Sequence, residues 1–230
     1  MGPLKAGLAT QNLINEWNPH TLVMLGIAGA LSDDVNIGDV VIASQVDAYM
    51  ESSKAVQASN QDEYTLRLGG TMYPCSIDLL RFTRNFEFVH QANFSRWQEQ
   101  CKAELQKLLL EERLERLLTR GVLGKLTQLV DGHIASGPTV GGTQAFTNWL
   151  KKVRDRNYLA IEMEAAGFME AIYQKASPGR TLVLRAISDY ADRRKSDLDK
   201  LGKGAFRRYA MHNAIQLLWS LFDAGILSDR

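Results

Sequence analysis

Two cysteines, Cys75 and Cys101, are all that the 230-residue chain carries. That is too few for a disulfide framework, and their spacing fits no metal cage; they read as reduced thiols in a cytoplasm-like compartment. The four histidines, His20, His90, His133 and His212, are scattered without a Cys or Asp at ligand spacing, so neither a metal nor another cofactor is expected. No apolar run approaches the ~20 residues that span a bilayer, and Met1–Gly7 lacks the basic-then-apolar pattern of a secretory signal, which leaves no case for a membrane partner. Neither sign of charge dominates. With 27 Lys and Arg against 26 Asp and Glu the net charge is +1, and a nucleic-acid partner has no electrostatic basis. Repeats and low-complexity linkers are also missing. The chain therefore reads as one cytoplasmic domain over 1–230, long enough to bury a substantial core.

What is present is alternation. Apolar residues at helical spacing predict a helix over Lys5–Trp17, ended by Asn18-Pro19. Thr21–Leu25 reads as a buried strand running into a small-residue loop, Gly26–Ala30. Asp39–Ser44 reads as a strand, with a strand-like continuation over Gln45–Met50. Residues 51–75 are polar and irregular, and Ser76 is placed to cap a helix through Phe86. Ser95–Arg120 predicts a long helix, inserted at about 95–120, whose leucine stripe packs on the domain. Strands over Val130–Ser136, Tyr158–Met163 and Thr181–Ile187 then alternate with helices over Thr143–Arg154, Glu164–Gln174 and Gly204–Ala224. This order argues an α/β fold with a mainly parallel or mixed sheet covered by helices.

Ligands of such folds collect beyond the carboxyl ends of the strands, and three strand ends carry unusual residues. Gly26-Ile27-Ala28-Gly29-Ala30 would let backbone approach a ligand, although a tight turn explains it as well. Ile161-Glu162-Met163-Glu164 sets two carboxylates around a methionine. Carboxylate oxygens suit the adjacent hydroxyls of a ribose, and methionine offers an adaptable apolar floor; acids at a helix N-terminus explain the pattern equally. Arg185-Ala186-Ile187-Ser188-Asp189 ends a buried strand on an acid. Desolvation raises a carboxyl pKa and favours a proton donor, with Ser188 orienting it, while a turn cap is the alternative.

Together these segments resemble the purine nucleoside phosphorylase and methylthioadenosine/S-adenosylhomocysteine nucleosidase superfamily, from about Met1 to about Phe222. The resemblance rests on GIAGAL with VNIGDVVIAS, on HIASGPTV, on AIEMEAAG and on LRAISDYAD. It implies a three-layer nucleoside phosphorylase-like fold, a central mixed sheet flanked by helices, and a purine nucleoside or nucleotide as small-molecule partner. Glu164 would hold the ribose hydroxyls, with Glu162 beside it, and Met163 would pack on the sugar. Asp189 would protonate the departing base, positioned by Ser188. Val140 and Gly141 match positions lining the base, and Arg185 matches an arginine near the attacking water or the acid. Gly26, Ile27 and Ala28 would approach the sugar or the nucleophile. The resemblance further implies a homo-oligomer.

Three departures refine the expectation. Relatives of this kind begin with strands ahead of the segment resembling Met1–Ala6, so the chain reads as lacking the first strand or strands and the group that activates the nucleophile. Met24 and Ile27 stand where phosphorylases place a phosphate-binding arginine and serine, and an apolar pair does not compensate phosphate desolvation. Hydrolysis is therefore expected over phosphorolysis, with a phosphorylase and a catalytically inactive nucleoside sensor as alternatives. The 95–120 helix and Arg193-Arg194-Lys195 resemble versions of the domain found in bacterial signalling and defence effectors. The three basic residues fit either a solvated turn or a contact with substrate phosphates.

Overall fold

The computed structural model describes residues 2–57, 63–112, 123–124, 126–139, 142–175, 179–192, 198, 200 and 204–228. In chain order its elements are α1 (Pro3–Trp17), β1 (Thr21–Ala30), β2 (Val40–Asp47), β3 (Lys54–Gln57), β4 (Tyr64–Arg67), β5 (Met72–Pro74), α2 (Ile77–Arg84), α3 (Phe86–Val89), α4 (Gln91–Glu112), β6 (Leu129–Ser136), α5 (Gln144–Val153), β7 (Tyr158–Glu162), α6 (Ala165–Tyr173), β8 (Arg180–Asp189) and α7 (Ala205–Asp223).

The sheet is mixed, in the order β5-β2-β6-β7-β1-β8. β2, β6 and β7 run parallel to one another, as do β1 and β8. A further antiparallel pairing joins Val40, Val41 and Ile42 of β2 to Ala186, Arg185 and Leu184 of β8, which closes the sheet on itself. Closure removes one exposed edge, the usual liability of an open sheet. β3 and β4 form a separate antiparallel pair within the polar 51–75 stretch.

Local chemistry accounts for the helix ends. α1 starts on a proline, whose missing N–H is unneeded there, and stops at Asn18, which turns left-handed (φ 41°) and donates its N–H to Ile14 O at 2.9 Å. Ala6, Thr10 and Ile14 recur one turn apart on its buried face, and α1 packs on α6. α4 begins four residues before the expected helix. Its buried stripe, Trp97, Cys101, Leu105, Leu108 and Leu109, lies against α7, with the Trp97 indole N–H donated to Asn213 O at 3.0 Å. That stripe joins the main core; residues 113–120 of the expected helix fall outside the described ones. A second apolar cluster, including Leu31, Tyr49, Ala135, Leu150, Tyr158, Ile161 and Ala191, sits under α5.

Two expectations are corrected. Gly26–Ala30 is not a loop: β1 runs through to Ala30, because β8 on one side and β7 on the other take up its backbone groups. Ser76 stands at the N-cap of α2 but does not bond that helix; its hydroxyl accepts the Thr181 N–H at 2.6 Å and fastens the helix to β8 instead.

Candidate active site

β1 brings the two acid-bearing strand ends together. Its Gly29 is paired with Ile161 of β7 on one side and with Asp189 of β8 on the other. The segments singled out at Glu162–Glu164 and at Arg185–Asp189, far apart in sequence, are thereby neighbours across a single backbone position.

In the first half, Glu162 ends β7 with 5% of its surface exposed. Its Oε2 accepts from Arg185 Nε at 3.1 Å and Nη2 at 2.6 Å. The same carboxylate accepts the Glu164 N–H at 3.0 Å and the Ala165 N–H at 3.0 Å. Those are N–H groups that the first turn of α6 would leave orphaned, and Glu164 at the N-cap makes no side-chain cap of its own. Arg185 is buried in turn, and its guanidinium lies over β1: a Cβ at Gly26 would stand 2.3 Å from Nη1. Gly26 is small to admit this arginine. Glu164 is half-buried, and its Oε1 accepts the Gly2 N–H at 3.1 Å. Burial alone would raise its pKa, but the Gly2 N–H, the amino terminus and the charge of Arg185 together outweigh it, and the carboxyl sits below its ordinary value. Ser136, at the end of β6, accepts the Ala166 N–H at 2.8 Å, satisfying another first-turn donor.

In the second half, Asp189 ends β8 with 4% exposure. Its Oδ1 accepts the Ala191 N–H at 3.0 Å, and Ser188 Oγ lies 3.0 Å from Oδ2 and 3.3 Å from Ala28 O. The single Ser188 proton therefore has two acceptors. Ala191 adopts φ 36°, a left-handed conformation uncommon outside glycine, of the kind that gathers at functional sites. Gly29 again makes room: a Cβ there would lie 2.9 Å from Asp189 Oδ1 and 2.8 Å from the Ala191 Cβ.

Met163 and Ile27 are half-buried beside these groups and Ala28 is buried. Val140, Gly141 and the Arg193-Arg194-Lys195 run lie outside the described residues. A cavity of about 220 Å³ opens beside α6, lined among others by Pro3, Met50, Ser136, Gly137, Ala166 and Glu170. α1 closes over α6 there at two glycines: a Cβ on Gly167 would lie 1.8 Å from Pro3 O and 3.0 Å from Gly7 N. Gly2 and Ser136 enter the site without being expected there. Only Ser136 had a signal, as a hydroxyl directly after a buried run in the HIASGPTV stretch.

A closed mixed sheet flanked by helices, with carboxylates at two joined strand ends, is the nucleoside phosphorylase-like class of α/β protein. The chain belongs to the phosphorylase superfamily, whose family model matches residues 1–223. Among curated relatives, the ATP nucleosidase Cap17 of Escherichia coli is 25% identical over 201 residues, covering 85% of this chain and 36% of the relative. The 5′-methylthioadenosine/S-adenosylhomocysteine nucleosidase of Staphylococcus aureus is 24% identical over 192 residues, covering 84% and 66%. The chain thus spans about a third of the first relative and just under two thirds of the second. Of solved structures, the Colwellia psychrerythraea methylthioadenosine/S-adenosylhomocysteine nucleosidase in complex with adenine superposes with TM-score 0.66 at 20% identity, over 99% of this chain and 75% of that one. Futalosine hydrolase of Helicobacter pylori gives TM-score 0.63 at 20% identity, over 97% and 76%. No helix among the described residues is long and apolar enough to cross a membrane.

Proposed function

We propose that the protein hydrolyses the N-glycosidic bond of a purine nucleoside or nucleotide, releasing the free base and the sugar. The observation that carries this reading is the double pairing of Gly29, which sets Asp189 and the Glu162–Glu164 corner on either side of one strand. Breaking the bond sends its electron pair to the base and leaves positive charge at C1′; water then adds to C1′ and gives up a proton. Asp189, steered by Ser188 and Ala191, donates to N7 of the leaving purine. Glu164, held ionised, accepts hydrogen bonds from the ribose 2′- and 3′-hydroxyls and favours the charge growing on the sugar. Met163 floors the sugar. Arg185 and Glu162 act through position: the pair fixes the first turn of α6, and with it Glu164. Val140 and Gly141 line the base, and Gly26, Ile27 and Ala28 back the sugar.

Hydrolysis is favoured over phosphorolysis by Met24 and Ile27, partly buried apolar side chains on β1 packed against the core. Arg185, a cation at this corner, already spends Nε and Nη2 on Glu162. We also propose a homo-oligomer acting in the cytoplasm, supported by the exposed Leu4, Leu8 and Trp17 of α1 and by two buried free thiols; light scattering tests the assembly. The functional test is base release from methylthioadenosine, S-adenosylhomocysteine, adenosine, inosine and ATP, with and without phosphate. Release independent of phosphate is expected. A strict phosphate requirement would make the protein a phosphorylase, and ligand-induced thermal stabilisation without release would make it a sensor.

A further inference from the structure

The hairpin that follows β2 has no part in the reading above. β3 and β4 pair so that Lys54 and Arg67 are direct Cα partners, and opposed residues of an antiparallel pair put their side chains on one face. Both are exposed, and among the described residues neither has an ion-pair partner. Glu51, the acid nearest in sequence, turns its Oε2 to the Thr71 N–H at 3.2 Å. Like charges set opposite each other destabilise a strand pair, and strands of four residues have few other contacts to offset them.

The two cations stand at the base of the hairpin, close to the cavity beside α6. Ala48, Met50 and Glu51 line that cavity, and the three residues from Glu51 to Lys54 span about 10 Å at most. The returning chain is pressed on the same stretch: a Cβ on Gly69 would lie 2.7 Å from Ser52 O, and one on Gly70 would lie 1.9 Å from Ala48 O. Gly70 O accepts Arg154 Nη2 at 2.8 Å, and that guanidinium is fastened on the buried Asp47 at 2.7 Å and 2.8 Å. The base of the hairpin is therefore fixed on the exit of β2. The cavity is also lined by Pro3, next to the Gly2 N–H that Glu164 accepts, and by Ala166, two residues beyond Glu164. Neighbours of Glu164 and neighbours of the hairpin thus line one space.

We propose that Lys54 and Arg67 bind the phosphate chain of a purine nucleotide whose nucleoside occupies the site between Asp189 and Glu164. The proposal rests on the nucleosidase reading and narrows its substrate class from nucleosides to polyphosphate-bearing nucleotides. A phosphate chain is an extended polyanion. Two cations on one face meet successive phosphates, the guanidinium as a planar fork and the ammonium as a point charge, and the bound anion removes the repulsion between them. Glu51 and Glu170, the acids lining the cavity, are held by the Thr71 N–H and the Gln174 amide. The pair makes and breaks no bond, so it acts on binding and not on the chemical step.

Lys54→Gln and Arg67→Gln, singly and together, test this, since both side chains are exposed and their loss leaves the core intact. Base release is measured with ATP and GTP beside adenosine and guanosine, and tripolyphosphate alone serves as a probe of melting temperature. In the wild type the triphosphate should have the lower KM, and tripolyphosphate should raise the melting temperature. Each single variant should raise the KM for the triphosphate roughly threefold to tenfold, with kcat and the KM for the nucleoside little changed. The double variant should lose the tripolyphosphate shift and much of the salt dependence of KM. Equal effects on nucleotide and nucleoside, or no effect on either, overturn the proposal. So does a tripolyphosphate shift that survives in the double variant, or one that the pair provides while no nucleotide is bound or cleaved, which would make the ligand free polyphosphate. A wild type that cleaves nucleosides and is indifferent to phosphates keeps the nucleosidase reading and removes the Lys54–Arg67 role alone. If no base is released and neither nucleoside nor nucleotide raises the melting temperature, both fall.

Discussion

The corner between β7 and α6 and the exit of β8 each present a carboxylate, but they are held differently. At the corner, Glu162 is enclosed by the Arg185 guanidinium and by backbone N–H groups of the α6 first turn, while Glu164, two residues on, is half-exposed and accepts the Gly2 N–H. At the exit, Asp189 carries burial and orientation in one residue, with a serine on one oxygen and a strained turn on the other. The corner divides its labour: Glu162 builds the helix start, and Glu164 is the acid proposed to meet the ribose. The exit combines burial and orientation in the residue proposed as general acid, for which geometry comes first.

Asp189→Asn breaks the comparison at its sharpest point. The amide keeps the shape but donates no proton, so base release should fall on the order of 10²–10⁴-fold while circular dichroism stays native; near-normal turnover would remove Asp189 from the chemistry. Arg185→Met tests whether the corner is structural. It strands Glu162 in a site where removing one partner of a buried pair costs about 3–5 kcal/mol, which chemical denaturation would read as a lost or strongly shifted transition. If stability holds and only catalysis suffers, the arginine acts on substrate directly.

Gly167→Ala probes the same corner from outside. The new methyl collides with Pro3 backbone, so α1 must lift from α6, at a cost of about 1–3 kcal/mol, and the Gly2 contact with Glu164 should loosen. A raised KM measures the second effect, and unchanged stability would argue against the close crossing. The smallest effect comes from Asp39, just before β2, whose backbone carbonyl accepts the Ile187 N–H at 2.8 Å. Burial pushes its pKa up to about 6, against the Asn36 and Gln128 N–H groups that lower it. A folded pKa raised above the unfolded value means that this residue's contribution is full below pH ~4 and is lost as pH rises through ~6. Between those limits Asp39→Asn should flatten the pH dependence of the denaturation midpoint; an identical profile would show that Asp39 titrates normally.

Much of this was legible in the chain. The acids at the ends of two buried strands are local patterns, and Glu164 and Asp189 fall at strand ends as AIEMEAAG and LRAISDYAD suggest. The leucine stripe of α4 was readable for the same reason, as a periodicity on one helix. What escaped depends on partners distant in sequence. Gly26 and Gly29 look like loop glycines until β7 and β8 flank them, and their smallness then proves to serve the side chains of Arg185 and Asp189. The link closing the sheet between β2 and β8 has no local signature, because it depends on register between strands that are distant in sequence.

The shared pairing of Gly29 makes β1 the spine of a caliper. One jaw carries Asp189 and the other the Glu162–Glu164 corner, and the gap between them is set by backbone hydrogen bonds that no side-chain exchange alters. Under the proposed function, variation in what the site accepts comes from re-lining the jaws, through the turns after β2 and β6 and the start of α1, while the span from base to sugar stays fixed. A lineage with this frame is free to change what lines the two jaws far more readily than the distance between them.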